Sequence, residues 1–273
     1  MLAAARTLLH LTAAAAQDRL HHRAAPAAAD VQPWLAALDR QGFVVVPHFY
    51  PPMQCAGLRA EVDRILLQYP ATTEHLPDDD RIYAAERVST LIGAYHADPR
   101  LVALADAFHQ APALNLFTLA NRVRPVPGGL GSGGGWHRDS VHQRQLKTLL
   151  YLTDVHDGTG AYQYIAGSHH PADLLRLARA GRVAFNQSRL TETDIAAIEA
   201  SSDHEPGAYR RHTVTGAAGT LVITDTRGLH RGQPLTHGIR YALTNYFFAR
   251  HHLSAGSETR FRKLFVDRDQ PPA

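Results

Sequence analysis

The 273-residue chain is poor in several features that would assign it to a class at once. It has one cysteine, Cys55, which excludes an internal disulfide framework and any cysteine-based zinc site. That usage suggests a cytoplasmic protein. No uninterrupted apolar run approaches the roughly 20 residues of a membrane helix, so no membrane association is expected. Charge of one sign is scarce as well. Lys and Arg number 28 against 25 Asp and Glu, a formal net charge of +3. The basic residues are scattered rather than interleaved with aromatics along a stripe, so nucleic acid is not an expected partner and a small molecule is. What remains is an ordinary globular composition, 45% hydrophobic and 19% charged, long enough to bury a sizeable core.

The first 30 residues are Ala-rich, with Arg6, Arg19 and Arg23. They read as a poorly packed helical tail in preference to a targeting peptide. A main domain is expected over 31–255, followed by a C-terminal tail over 256–273. Trp34, Leu35 and Leu38 predict a helix over Val31–Arg40, stopped at Gly42. Phe43–Phe49 predicts a short strand and Pro51–Tyr69 a helix through Leu58, Val62, Ile65 and Leu66. Thr72–Arg87 is polar, and its run Asp78-Asp79-Asp80 reads as a solvated loop. Asp98–His109 predicts another helix.

From Leu114 the period shortens to two. Strands are predicted at Leu116–Val126, Leu146–Val155, Ala161–Ile165, Thr220–Thr224 and Tyr241–Ala249. Helices are predicted at Pro171–Ala180 and near Asp194–Ala200, the second inside an insertion over Phe185–Tyr209. Gly128–Gly135 is a glycine-rich loop without the Lys-Ser/Thr ending of a phosphate loop, and it reads as a flexible flap beside a pocket. Helices first and many short strands afterwards predict a mainly β fold with flanking helices, a two-sheet barrel or jelly roll.

The chemistry gathers in three segments. In Trp136-His137-Arg138-Asp139, residues two apart on an extended chain share a face, so His137 and Asp139 can meet one ion. Imidazole with carboxylate suits Fe(II), Mn(II) or Zn(II). His230 stands between Gly228 and Gly232. If its segment faces the first across a barrel, the three form a two-His, one-carboxylate triad with open coordination positions, as an oxygenase requires. Arg240 follows ten residues later, at the start of a strand. Alone it would be an ordinary surface arginine. Beside the triad it is a guanidinium fit to grip the far end of a dicarboxylate.

Trp136-His137-Arg138-Asp139, Tyr151-Leu152-Thr153-Asp154-Val155, Gly160, Gly167-Ser168-His169, His230-Arg231-Gly232 and Arg240 together resemble the phytanoyl-CoA dioxygenase family. Gly42-Phe43-Val44-Val45-Val46-Pro47 and the helix after it are also similar. The resemblance implies a double-stranded β-helix (a cupin-like jelly roll) with Fe(II), and with 2-oxoglutarate and O2 as cosubstrates. It implies His137, Asp139 and His230 as metal ligands and Arg240 as anchor of the 2-oxoglutarate C5 carboxylate. It places Tyr151 where an aromatic lines the 2-oxoglutarate pocket, although a core tyrosine fits equally. Asn121 is a further candidate for a cosubstrate hydrogen bond, against a structural role.

Two departures matter. Ala166 stands where the family often has proline. Gly232 stands where the family often has a hydroxyl that helps hold 2-oxoglutarate, so another group, Tyr151 for example, must supply that bond. Retention of Asp139 favours hydroxylation of a C–H bond over halogenation, with release of succinate and CO2; desaturation and ring formation stay open. Arg138, His142, Arg144 and Arg231 read as solvated charge. The competing readings are a cupin-like isomerase or metal-binding protein without 2-oxoglutarate, and a non-catalytic binding relative.

Overall fold

The computed structural model describes residues 2–22, 29–202, 209–254, 256, 259 and 265–266. The N-terminal part runs α1 (Leu2–His21), α2 (Gln32–Gln41), β1 (Phe43–Val46), α3 (Pro52–Gln68), β2 (Glu74–His75), β3 (Asp79–Ile82), α4 (Thr90–His96) and α5 (Pro99–His109). There follow β4 (Ala113–Val123), β5 (Leu146–Tyr151), β6 (Tyr162–Ile165), α6 (Pro171–Arg179), α7 (Glu192–Glu199), β7 (Arg211–Val214), β8 (Leu221–Asp225), β9 (His230–Gly232) and β10 (Arg240–Ala249). Seven strands form one sheet in the order β1-β8-β5-β10-β4-β3-β2, and three form a second in the order β7-β6-β9. The pairs within both sheets are antiparallel.

Strand alternation explains how the large sheet is covered on both faces. On β5, Leu146 and Leu150 point outward and pack with Leu243 against Leu58, Val62, Ile65, Ile92, Leu101 and Leu104 of the helices. The intervening Leu149 and Tyr151 point inward, where with Val222 and Ala242 they meet Tyr162, Tyr164 and Val214 of the small sheet. A third cluster forms where α6 and α7 cover Ile165, Leu229 and Trp136. The expected jelly roll with flanking helices is the architecture observed.

Most predicted elements are present, with strand ends shortened; β4 stops at Val123, ahead of the prolines at 125 and 127. Thr191 and Asp194 cap α7 reciprocally. The helix α4 and the strands β7 and β9 were not foreseen. Neither was the acidic run. Asp79 and Asp80 are fully buried on β3, not in a solvated loop. Pairing of β3 with β4 sets Asp80 opposite Arg122, which it contacts at 3.0 Å, with His75 at 2.8 Å and Arg124 at 2.5 Å. Asp79 holds Arg81 at 2.7 Å. Asp80 can be buried because Arg122 and Arg124 on a distant segment neutralise it, which local polarity does not reveal, while Asp79 is neutralised from its own strand by Arg81.

The N-terminal segment is helical and exposes Leu9 and Leu20. It is tied to the end of β10 by Asp18, whose Oδ1 lies 2.9 Å from Nε2 of both His251 and His252. Of the expected C-terminal tail, Phe265 and Val266 are described and buried, with Phe265 bridging to Tyr83. The rest of that tail lies largely outside the described residues, as do 203–208 of the insertion. No helix among the described residues is long and apolar enough to cross a membrane.

Candidate active site

A cavity of about 280 Å³ opens between the sheets. It is at the lower end of the size range of small-molecule sites. His137, Asp139 and His230 lie on its wall. They converge because residue 137 and the first residue of β9 form a narrow antiparallel pair. His137 N–H donates to the His230 carbonyl at 2.9 Å, and His230 N–H donates back at 2.8 Å. On the other side, Ser188 and Leu190 of the insertion pair with Arg138 and Trp136 at 2.9 and 3.0 Å. A segment 93 residues away thus becomes a neighbour of the first, and the ligand-bearing chain is held from both sides.

The two imidazoles are fixed in one tautomer. Nδ1 of His137 lies 2.9 Å from the Gly135 carbonyl, and Nδ1 of His230 lies 2.9 Å from the Gly228 carbonyl. A carbonyl only accepts, so each Nδ1 carries the proton and each Nε2 presents a lone pair. The Nε2 atoms stand 3.8 and 3.9 Å from the carboxylate of Asp139, too far for hydrogen bonds. The three ligand atoms lie within 4.8 Å of one another. Burial keeps both rings neutral, pushing His230 down to about 3 and lowering His137 as well. Burial by itself raises the Asp139 carboxyl, but the Lys147 ammonium 2.6 Å away outweighs it and holds the group ionised. Two neutral imidazole nitrogens and one carboxylate fit an iron(II) ion. Asp18, His251 and His252 form a second group that could hold an ion, but none of them borders the cavity.

Glycine is required at two points around the triad. Gly133 of the glycine loop has a φ of +90°, and a Cβ there would come within 2.4 Å of His137 Cε1. A Cβ on Gly228 would meet the Tyr164 hydroxyl at 1.9 Å. The loop is latched over the cavity by Arg189, which donates to the carbonyls of Gly133 and Gly134.

Arg240 opens β10 and lines the same cavity. It is 3% exposed and lacks any ion pair among the described residues. One guanidinium nitrogen, Nη1, donates to the Gly160 carbonyl, and Nε has no partner. Burial lowers its pKa. A buried guanidinium without a counter-ion is costly, and a ligand carboxylate would relieve that cost.

The remaining sequence candidates divide. Asn121 lines the cavity, but its amide nitrogen is engaged by Asp79 Oδ1 at 2.9 Å and Ser132 Oγ at 3.3 Å. Tyr151 is not on the cavity wall. Its hydroxyl donates to the Val214 carbonyl at 2.9 Å and accepts from Tyr162 N–H at 2.8 Å. It has no further proton to offer, so it cannot replace the hydroxyl missing at Gly232. Arg138, His142, Arg144 and Arg231 are not on the wall either. Arg138 is not solvated, being 3% exposed, because its neighbours His137 and Asp139 turn it to the opposite, packed side of the strand. Arg231 lies over Trp136 and pairs with Glu192.

Sequence reasoning passed over Lys147, Ser132, Tyr162, Thr224, Arg81 and Arg189, all on the cavity wall. One signal was available. Lys147 is the lone cation in the run Leu146-Lys147-Thr148-Leu149-Leu150-Tyr151.

A family model described as Phytanoyl-CoA dioxygenase (PhyH) matches residues 38–242. This chain belongs to the phytanoyl-CoA dioxygenase family. Among characterised relatives, it is 24% identical over 216 residues to an ectoine dioxygenase of Nocardia farcinica, covering 72% of this chain and 70% of that one. It is 26% identical over 212 residues to the ectoine dioxygenase of Bordetella parapertussis, covering 70% and 66%. The epimerase SnoN from nogalamycin biosynthesis shares the fold with a TM-score of 0.59 at 20% identity, over 81% of this chain and 83% of the other. EctD from S. alaskensis with bound Fe does so at 0.58 and 18%, over 84% and 83%. As a phytanoyl-CoA dioxygenase family member, the protein is an Fe(II)- and 2-oxoglutarate-dependent dioxygenase that hydroxylates a small organic substrate.

Proposed function

We propose that His137, Asp139 and His230 hold the iron and that Arg240 binds the C5 carboxylate of 2-oxoglutarate, so that one end of the cosubstrate meets the metal and the other the guanidinium. One observation carries this reading. The cavity that contains two imidazole lone pairs facing a carboxylate also contains a buried arginine without a counter-ion. A barrel that used its metal without 2-oxoglutarate would leave that arginine with no anion to meet. When bound, the iron supplies the oxidation, coupling decarboxylation of 2-oxoglutarate to hydroxylation of a C–H bond. The protein supplies position. Arg240 fixes the distal carboxylate with parallel hydrogen bonds, and the neutral imidazoles leave open positions on one side of the metal.

Ser132 stands beside residue 232 without replacing the hydroxyl absent there. A Cβ on Gly232 would lie 3.0 Å from Ser132 Cβ, and Gly232 N–H donates to the Ser132 carbonyl at 3.0 Å. The serine therefore occupies the space a side chain at 232 would fill, and its Oγ borders the cavity. That hydroxyl donates its one proton to Asp79 Oδ2 at 3.0 Å and accepts from the Asn121 amide at 3.3 Å, so, like Tyr151, it has none to offer the cosubstrate, and Arg240 carries the C5 carboxylate without it.

Two relatives that share the fold are named as an epimerase and a carbocyclase, so the fold does not fix the outcome of the oxidation. The curated relatives make ectoine the first compound to assay. Anaerobic addition of Fe(II) and 2-oxoglutarate to the apoprotein should give a visible metal-to-ligand charge-transfer band, and His137→Ala should abolish it. Absence of the band in the wild type, or its persistence in His137→Ala, would overturn the assignment.

A further inference from the structure

The cavity holds a cation for which neither the triad nor the cosubstrate accounts. Lys147 stands on β5 between Thr224 of β8 and Tyr246 of β10 in register. Its side chain is 12% exposed, and its ammonium lies 2.6 Å from Asp139 Oδ2 and 4.3 Å from the centre of the Tyr246 ring. Apart from the two triad histidines, no other described side chain forms an ion pair with the Asp139 carboxylate. Arg240 and Tyr246 are six residues apart on one face of β10, about 20 Å along the strand. Lys147 thus belongs to the end of the cavity remote from the cosubstrate anchor.

We infer that Lys147 is a positioning residue that restricts Asp139 to binding the metal through a single oxygen, so that room is left for O2 as well as for a chelating cosubstrate. The inference rests on the metal assignment proposed above. Asp139 Oδ2, engaged by a charge-assisted hydrogen bond, is a poor ligand, and Oδ1 is left toward His137. A free carboxylate can take an ion through both oxygens, which would leave room for the chelating cosubstrate but none for O2. The ammonium also draws electron density from the carboxylate, making it a weaker donor. The lysine therefore loosens the metal and favours the cosubstrate, the reverse of what a supporting hydrogen bond does for a ligand histidine.

That opposition supplies the test, with Co(II) as metal probe because its d–d absorption reports coordination directly. Wild type, Lys147→Met and Lys147→Gln are titrated anaerobically with Co(II), and the loaded proteins are then titrated with 2-oxoglutarate. Lys147→Met should bind Co(II) about tenfold more tightly and 2-oxoglutarate about tenfold more weakly, the size of effect typical of groups that orient a ligand. Its d–d bands should shift before 2-oxoglutarate is added. Lys147→Gln keeps a donor without the charge, so its Co(II) affinity should rise while 2-oxoglutarate binding stays near the wild type. If Lys147→Met does not fold, as judged by its thermal transition, Lys147→Gln decides alone. A parallel loss of both affinities, or unchanged Co(II) binding and spectrum, overturns the inference. Failure of 2-oxoglutarate to perturb the wild-type Co(II) spectrum would instead count against the cosubstrate reading, and the Co(II) arm would still test Lys147.

Discussion

Two places in this molecule bury charge, and they settle it in opposite ways. At the β3–β4 edge, Arg81, Arg122 and Arg124 each meet Asp79 or Asp80 at 3.0 Å or less. At the start of β10, Arg240 is itself buried, 3% exposed, but meets only a backbone carbonyl. The first set is neutral as it stands and serves the sheet. The second has a charge left over and serves a ligand. Burial of a cation is thus no evidence of a site, and even Arg138, buried without an ion pair, lies off the cavity; what marks Arg240 is an unneutralised buried charge on the wall that also carries the triad.

The largest effect that would sharpen this contrast is on the closed edge. Asp80→Ala should cost about 3 kcal/mol of stability, because it strips Arg124 of its carboxylate, leaves Arg122 only Asp63, and removes two charge-assisted hydrogen-bonded pairs. Urea unfolding measures it, and a loss below 1 kcal/mol would erase the distinction. At the open end the pattern should invert. Arg240→Met should leave the apoprotein as stable as the wild type or more so, since it removes an uncompensated buried charge. It should weaken 2-oxoglutarate binding by about 100-fold, the value of a bidentate charge-assisted contact, with metal affinity little changed. Equal loss of metal and cosubstrate binding would remove Arg240 from its role.

The smallest effect separates ion-paired groups from buried neutral ones by pH. Burial pushes His109 down to about 3, whereas the unfolded residue protonates near 6.5. Its contribution is therefore complete above the unfolded value and is lost as pH falls from 6.5 toward 3, about 2 kcal/mol by pH 5. Asp80 is resolvable because its window is lower. Burial raises its carboxyl, but Arg124, His75 and Arg122 outweigh that and hold it well below the usual range, so its contribution is lost only below about pH 4. Stability measured at pH 7, 6 and 5 should fall for the wild type and less steeply for His109→Gln. Identical slopes would show that His109 does not titrate with unfolding.

The legible parts of the sequence were those with local causes. The helices α2, α3 and α5 and the strands β5, β8 and β10 followed from periodicity. His137 and Asp139 followed from their spacing on an extended chain. His230 and Arg240 were legible as partners once that pair was suspected. Where the reading went astray, the cause was distant. Asp80 looked exposed because Arg122 and Arg124 sit some 40 residues on, and Arg138 looked solvated because nothing nearby announces what packs over it. Tyr151 matched a family position, yet its hydroxyl is held by Val214 and Tyr162. Ser132 was hidden in a glycine loop, with no mark that it would lie against Gly232.

By itself, then, the sequence determined which faces of which strands are apolar, where a His-x-Asp pair could point at one ion, and that a second histidine and an arginine follow at family spacing. Tertiary structure alone decided which charges are neutralised, which hydroxyl reaches the cavity, and that Lys147 grips Asp139. The physical reason is that periodicity is a property of consecutive residues. Neutralising a charge, or leaving it open, depends on which segments the sheets bring within a few ångströms, and antiparallel pairing between residues nearly a hundred positions apart sets that.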